Sequence, residues 1–278
     1  MSGPGAAEPM DAEFDVMPRW VAEAVATLGT GHAVPAACRG SVGPAGLAWL
    51  AEHTHVGPGT VLVDVGGGMG GPAAWARQEC GAAPVVVEPQ PGACAAAHRM
   101  FDLPVVVATG TALPVADDAA AAVWCLGVLC TTTAKARLLR ELRRIVAPGG
   151  LLGLYALVAR GEVVDPPEGN EFPTDVEVAA LLTAAGLDAR HALDVDGLPD
   201  EPRDWADRAD AVDDLVHARH GDDPSWRRMQ EQEARLARLM RSGAIAARLV
   251  VARRPGPEGG PVSRGGAAPP AGTPATTP

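Results

Sequence analysis

The chain has 278 residues, enough for one α/β domain with additions, and 47% of them are hydrophobic although aromatics make up only 4%. Its net charge of −11 excludes a protein whose main work is neutralising phosphate backbones, since that affinity is built from clustered Lys and Arg. The five cysteines (Cys38, Cys80, Cys94, Cys125, Cys130) form no C-x-x-C pair and leave one odd, which disfavours a zinc site or a disulfide framework.

The opening MSGPGAAEPMDAEF lacks a basic start and an apolar core. The longest apolar run, Ala119 to Cys130, is well short of the roughly 20 residues of a membrane span. A cytoplasmic protein with no membrane or nucleic-acid partner is expected, and its oligomeric state is left open. A first helix is predicted from Pro18 to Leu28, stopped by Gly29, and a second from Pro44 to His53. Between them GHAVPAACRGSVG, rich in turn formers, reads as a loop.

From residue 60 short Val-rich runs without polar alternation succeed one another, as in a parallel sheet covered on both faces. Strands are predicted at 61–65, 84–88, 104–108, 122–126, 150–156, 188–194 and 246–252. A helix from Ala134 to Val146, capped by Thr133 and stopped by PGG, places Leu138, Leu139, Leu142, Ile145 and Val146 on one face. Another opens on the capping box Thr174-x-x-Glu177 and closes at Gly186. Residues 201–243 read as two amphipathic helices inserted either as a cap over the open end of the sheet or as a hairpin that only fills out the core. The second starts at Asp223-Pro224 and shows Trp226, Met229, Leu236 and Met240 on one side. The chain thus divides into an N-terminal helical segment (1–57), an α/β domain (58–254) and a tail (255–278) whose Pro, Gly, Ala and Thr predict disorder.

The stretch VLVDVGGGMGGPA, residues 61–73, ends a strand in a glycine turn and opens a helix on Pro72. Gly66, Gly68 and Gly71 spell G-x-G-x-x-G, the dinucleotide pattern; Asp64, Gly66, Gly68 and Gly70 spell D-x-G-x-G-x-G. Both readings place an acid, here Glu88, at the end of the second strand to hold a ribose. Asp64 lies inside the strand, where a dinucleotide fold favours an apolar residue, and a carboxylate there suits a ligand carrying an ammonium group.

With ATGTALPVADD (108–118) after the third strand and LRRIVAPGG (142–150) before the fifth, the chain resembles the class I S-adenosylmethionine (SAM)-dependent methyltransferases, in particular their small-molecule group, over roughly residues 45–190. The resemblance implies a Rossmann-like, doubly wound seven-stranded sheet, mostly parallel with its last strand antiparallel, and SAM as cofactor. It further implies that Gly66, Gly68 and Gly70 line the methionine part of SAM, that Asp64 holds its amino end, and that Glu88 grips the ribose. Thr109, Gly110, Thr111, Ala112 and Leu113 would edge the adenine, and Cys125 and Leu126 would pass near the sulfonium. Two departures from the family stand out: Thr109 occupies a position often held by Asp, and Ala120-Ala121 replaces Phe-Asp.

The chemistry implied is in-line methyl transfer, with the protein supplying alignment and exclusion of water. His32, Arg39, Tyr155 and His217 are the substrate-side candidates, together with His220; each also has a structural or solvent-facing reading. His217 and His220 have helical spacing for one metal but no supporting ligand set, so no metal is expected. No Asn-Pro-Pro-aromatic motif follows the fourth strand, DPPEG (165–169) comes after the fifth, and no Pro-Cys occurs, so nucleic-acid bases are disfavoured and a small organic acceptor remains. Three alternatives stay open: a SAM enzyme that cyclises or decarboxylates, a nicotinamide oxidoreductase, and a SAM-binding protein without catalysis.

Overall fold

Seven strands, most of them rich in Val, Leu or Ala, assemble into one sheet in the computed structural model, which describes residues 15–256. They are β1 (Val61–Val65), β2 (Ala83–Glu88), β3 (Val105–Val107), β4 (Ala120–Leu126), β5 (Val146–Ala159), β6 (Asp188–Asp194) and β7 (Ile245–Arg253). Their order is β3-β2-β1-β4-β5-β7-β6, in which β7 runs antiparallel between β5 and β6 while the first five are mutually parallel. The order reverses between β1 and β4, so a crevice opens at their carboxyl ends.

Nine helices lie among the described residues: α1 (Met17–Leu28), α2 (Ala33–Ala37), α3 (Pro44–His53), α4 (Gly71–Cys80), α5 (Pro91–Phe101), α6 (Lys135–Ile145), α7 (Asp175–Ala184), α8 (Arg203–His220) and α9 (Pro224–Arg241). Successive strand residues point to opposite faces, and each face buries its own layer. Leu62, Val86, Ala122 and Trp124 pack with α1 to α4 and with α8 and α9, whereas Val63, Val65, Val123 and Cys125 pack with Leu138, Leu139 and Leu142 of α6 and Val178 and Leu182 of α7. Trp124 is fully buried and donates its indole N–H to Thr54 Oγ1 at 3.0 Å, which leaves that polar atom satisfied.

The predicted strands and most helix bounds agree with these elements; four local readings need correction. The stretch predicted as a loop contains α2, because Ala33, Val34, Ala36 and Ala37 are small enough to bury a single helical turn against its neighbours. PGG does not stop α6: the helix ends at Ile145, and Pro148, Gly149 and Gly150 belong to the start of β5. Thr132, not Thr133, accepts the Ala134 amide at 3.1 Å. On α9 Trp226, Met229 and Leu236 pack on the core as predicted, but Leu239 completes that face in place of Met240, which is 39% exposed. The capping box of α7 is formed as predicted. The tail reading from residue 257 onward lies outside the described residues. No helix among the described residues is long and apolar enough to cross a membrane.

Candidate active site

The glycine loop follows β1 into α4 and is tied down by backbone bonds: Gly66 N–H donates to Val87 at 2.7 Å and Gly70 N–H to Gly67 at 2.8 Å. Gly68 has φ +52° and open space where a Cβ would stand, so the backbone there is free for close approach by a ligand. Gly71 is glycine for another reason. A Cβ on it would come within 2.4 Å of the Ala37 carbonyl carbon, so the third glycine of the G-x-G-x-x-G pattern is required by the packing of α4 against α2.

Two carboxylates face this loop. Glu88 is 5% exposed and accepts the amides of Gly68 and Gln90, one on each oxygen, both at 3.0 Å. Burial pushes its carboxyl above the ordinary range, and the two amides pull it back. A carboxylate has about four acceptor positions, so two remain for donors such as ribose hydroxyls. Asp64 is fully buried and neither of its oxygens has a hydrogen-bond partner. Burial, reinforced by the charge of Glu88, pushes its carboxyl up to about 7. A buried group left unsatisfied in this way is costly in the free protein and is relieved by a cation.

Both acids line a cavity of about 560 Å³. Its floor is the glycine loop with Thr109, Gly110 and Thr111; one wall carries Met17, Pro18 and Val21 of α1 and residues Arg39 to Ser41. Leu126, Gly127, Tyr155 and Asn170 also line it, as do Met229, Gln232, Glu233 and Leu236 of α9. Tyr155 is 9% exposed, and burial raises its phenol to about 12, which keeps the hydroxyl protonated and able to donate at neutral pH. Arg39 reaches across to α8, bonding Asp210 and lying 2.9 Å from Asp213.

Of the residues singled out in the sequence, Asp64, Gly66, Gly68, Glu88, Thr109, Gly110, Thr111, Leu126, Arg39 and Tyr155 line this cavity. Gly70 is the left-handed N-cap of α4 and backs onto Leu103 and Ala97 beneath the loop. Ala112 closes a turn on Thr109, and Leu113 is buried toward α6 with its amide donated to Glu141 at 2.9 Å. Cys125 points to the α6 face, one residue out of phase with Leu126. His32 is turned to the Gly29 carbonyl, and His217 packs against Trp226 with ring centroids 5.4 Å apart, both outside the cavity lining. His220 stacks on Trp20 at 4.2 Å. Among the described residues no group of His, Cys, Asp and Glu is arranged to hold a metal.

The α1 residues in the wall, and Gln232 and Glu233 of α9, were not singled out from the sequence, whereas Met229 and Leu236 were named there as one side of a cap helix. Their only local signal was amphipathicity, which marks a buried face without saying what it faces.

Comparison with known proteins fits this geometry. Residues 63–154 match the model of the methyltransferase domain family. The chain is 38% identical over 146 residues to an uncharacterised methyltransferase of Mycobacterium bovis (strain BCG / Pasteur 1173P2), covering 51% of this chain and 56% of that one. It is 29% identical over 127 residues to methyltransferase GfsG of Streptomyces halstedii, covering 42% and 44%. The chain therefore spans about half the length of the curated relatives it matches. Among solved structures, the [4+2]-cyclase SpnF superposes with a TM-score of 0.61 at 22% identity, covering 76% of this chain and 80% of that one. Geranyl diphosphate C-methyltransferase from Streptomyces coelicolor A3(2), in complex with S-adenosyl-L-homocysteine, superposes with a TM-score of 0.56 at 16% identity, covering 76% and 75%. Residues 63–154 are thus similar to the methyltransferase domain family, and the sheet that holds them has the Rossmann-like fold of the superposed structures.

Proposed function

We propose that this chain transfers a methyl group from SAM to a small organic acceptor inside the 560 Å³ cavity. The observation that carries the reading is Asp64: a fully buried carboxylate with both oxygens unbonded, in the wall of a cavity, suits a ligand with an ammonium group. A nicotinamide dinucleotide has no amino-acid portion to meet it.

The residues present fit SAM. Asp64 would hold the amino end, the open backbone at Gly68 would admit the chain between amino acid and ribose, and Glu88 would accept from the ribose hydroxyls with its two remaining positions. Thr109, Gly110 and Thr111 would border the base. When bound, SAM supplies an electrophilic methyl group on a sulfonium. The protein's contribution is orientation and an apolar surround: Leu126, which ends β4, is in paired register with Tyr155 of β5, and Met229 and Leu236 add apolar lining from α9. Tyr155, protonated at neutral pH, donates a hydrogen bond to the acceptor and does not serve as a base.

Calorimetric titration with SAM, S-adenosylhomocysteine and NAD, followed by mass spectrometry of an acceptor screen, tests the reading. SAM should bind, NAD should not, and an acceptor should gain one methyl mass. Binding of SAM with rearrangement of an acceptor at unchanged mass would assign a cyclase instead, and NAD binding alone would refute both.

A further inference from the structure

Three buried side-chain polar atoms among the described residues have no hydrogen-bond partner: the two oxygens of Asp64 and the hydroxyl of Ser41. Both residues line the cavity, and they stand on segments that the fold brings together. The end of α2 packs on the first residue of α4, where a Cβ on Gly71 would come within 2.7 Å of the Cys38 amide nitrogen. The carbonyl oxygen of Gly40 would stand 3.5 Å from a Cβ on Gly127, which follows β4. Asp64 of β1 is paired with Trp124 of β4, and the glycine loop leads from β1 into α4, so residues 37–41 cross the carboxyl end of β1. Burial pushes the Cys38 thiol up, and the charge of Asp64 adds to that shift, in keeping with this proximity. Ser41 is half-buried, its amide is spent on the Cys38 carbonyl at 3.0 Å, and its hydroxyl remains a free donor.

An orphaned carboxylate and an orphaned hydroxyl in the lining of one cavity are complementary to a zwitterion. An α-amino acid carries its ammonium and its carboxylate on one carbon, and each buried orphan costs free energy until a ligand meets it. Resting on the reading of this cavity as a SAM site, we propose that Ser41 determines cofactor specificity: its hydroxyl donates to the carboxylate of the amino-acid head whose ammonium Asp64 holds, so that the pair selects a ligand with an intact head over its decarboxylated form. Arg39 also lines the cavity, but its guanidinium is engaged by Asp210 and Asp213. Ser41 lies upstream of residues 63–154, the part of the chain that matches the methyltransferase domain family.

The test titrates the full chain calorimetrically with S-adenosylhomocysteine and with its decarboxylated counterpart, which keeps the nucleoside, the sulfur and the amine. Wild type should bind S-adenosylhomocysteine at least ~10-fold more tightly than the decarboxylated ligand, as expected of a hydrogen bond to a charged group. Ser41→Ala should weaken S-adenosylhomocysteine about tenfold and leave the decarboxylated ligand within about twofold of its wild-type affinity. The second value also reports that the variant is folded. Arg39→Ala should keep the wild-type preference. No preference in wild type, an unchanged preference in Ser41→Ala, equal weakening of both ligands by that substitution, or loss of the preference in Arg39→Ala would overturn the proposal and leave the cofactor reading standing. If neither ligand binds wild type, the cofactor reading itself fails and the role of Ser41 falls with it.

Discussion

Asp64 and Glu88 face one cavity from neighbouring parallel strands, and they differ in a single respect: Glu88 accepts two backbone amides, whereas Asp64 accepts nothing. The same burial therefore leaves one acid braced and the other unsatisfied, and the consequences can be measured.

Asp64 is raised to about 7, so the free protein holds a proton there that the unfolded chain releases at ordinary carboxylate pH. Its contribution to stability is full below about pH 4 and is lost as pH rises to about 7, above which the ionised form is a burden. Asp64→Asn should therefore melt a few degrees above wild type at about pH 8, with the difference shrinking as pH falls and vanishing only below about pH 4, while SAM binds at least ~10-fold more weakly at about pH 8. Wild-type SAM affinity should itself fall as pH drops below about 7, and the variant's should not. Thermal melts and calorimetry at the two pH values check this; a melting difference independent of pH would contradict it.

Gly68 and Gly71 separate ligand contact from packing. Gly68→Ala places a methyl group in open space at φ +52°, costing about 1 kcal/mol in stability and weakening SAM more than it weakens the fold. Gly71→Ala drives a Cβ into the Ala37 backbone and should destabilise by about 1–3 kcal/mol. Urea titrations with and without SAM distinguish the two. Equal loss of stability in both variants would show that Gly68 is also a packing position.

Arg144 and Glu141 hold the segment that follows the cavity floor. Arg144 donates to the carbonyls of Leu113 and Val115 at 2.9 and 2.7 Å, and Glu141 accepts the Leu113 amide. The hydrogen bond from Arg144 holds the Glu141 carboxyl down at about 2. Its depressed pKa contributes stability present above the ordinary value near 4.5 and lost as pH falls toward about 2. Glu141→Gln should cost about 1–2 kcal/mol at neutral pH, with the deficit shrinking in acid, and should loosen SAM through the Thr109–Thr111 rim. A deficit that stays constant down to about pH 3 would remove the ion pair from the account.

Arg39 joins the segment after α2 to α8, yet the pair is about two-fifths exposed, so Arg39→Ala should change stability by less than about 1 kcal/mol. Its effect should fall on turnover: acceptor KM shifts while SAM affinity stays within about twofold. His32→Ala and His217→Ala, whose side chains lie outside the cavity lining, should leave turnover unchanged. Steady-state kinetics on the three variants decide it, and a loss in either histidine variant would require a second path to the site.

The strands, the glycine turn and the acid after β2 were legible in the sequence because each depends on neighbours in the chain. A strand buried on both faces must be continuously apolar, a tight turn needs glycine, and a capping box spans only four residues. Strand periodicity alone also separates Leu126 from Cys125, since adjacent residues face opposite layers; the resemblance to a family named both. What only the tertiary structure decided involves partners far apart in sequence. That Gly71 answers to Ala37, that Arg39 is bound by Asp210 and Asp213, and that Met17, Pro18 and Val21 of α1 line the cavity follow from packing between elements that no local pattern relates. The state of Asp64 belongs here too: an aspartate within a strand is visible in the sequence, but its complete burial and its two unbonded oxygens exist only once β2, β4 and the glycine loop close around it.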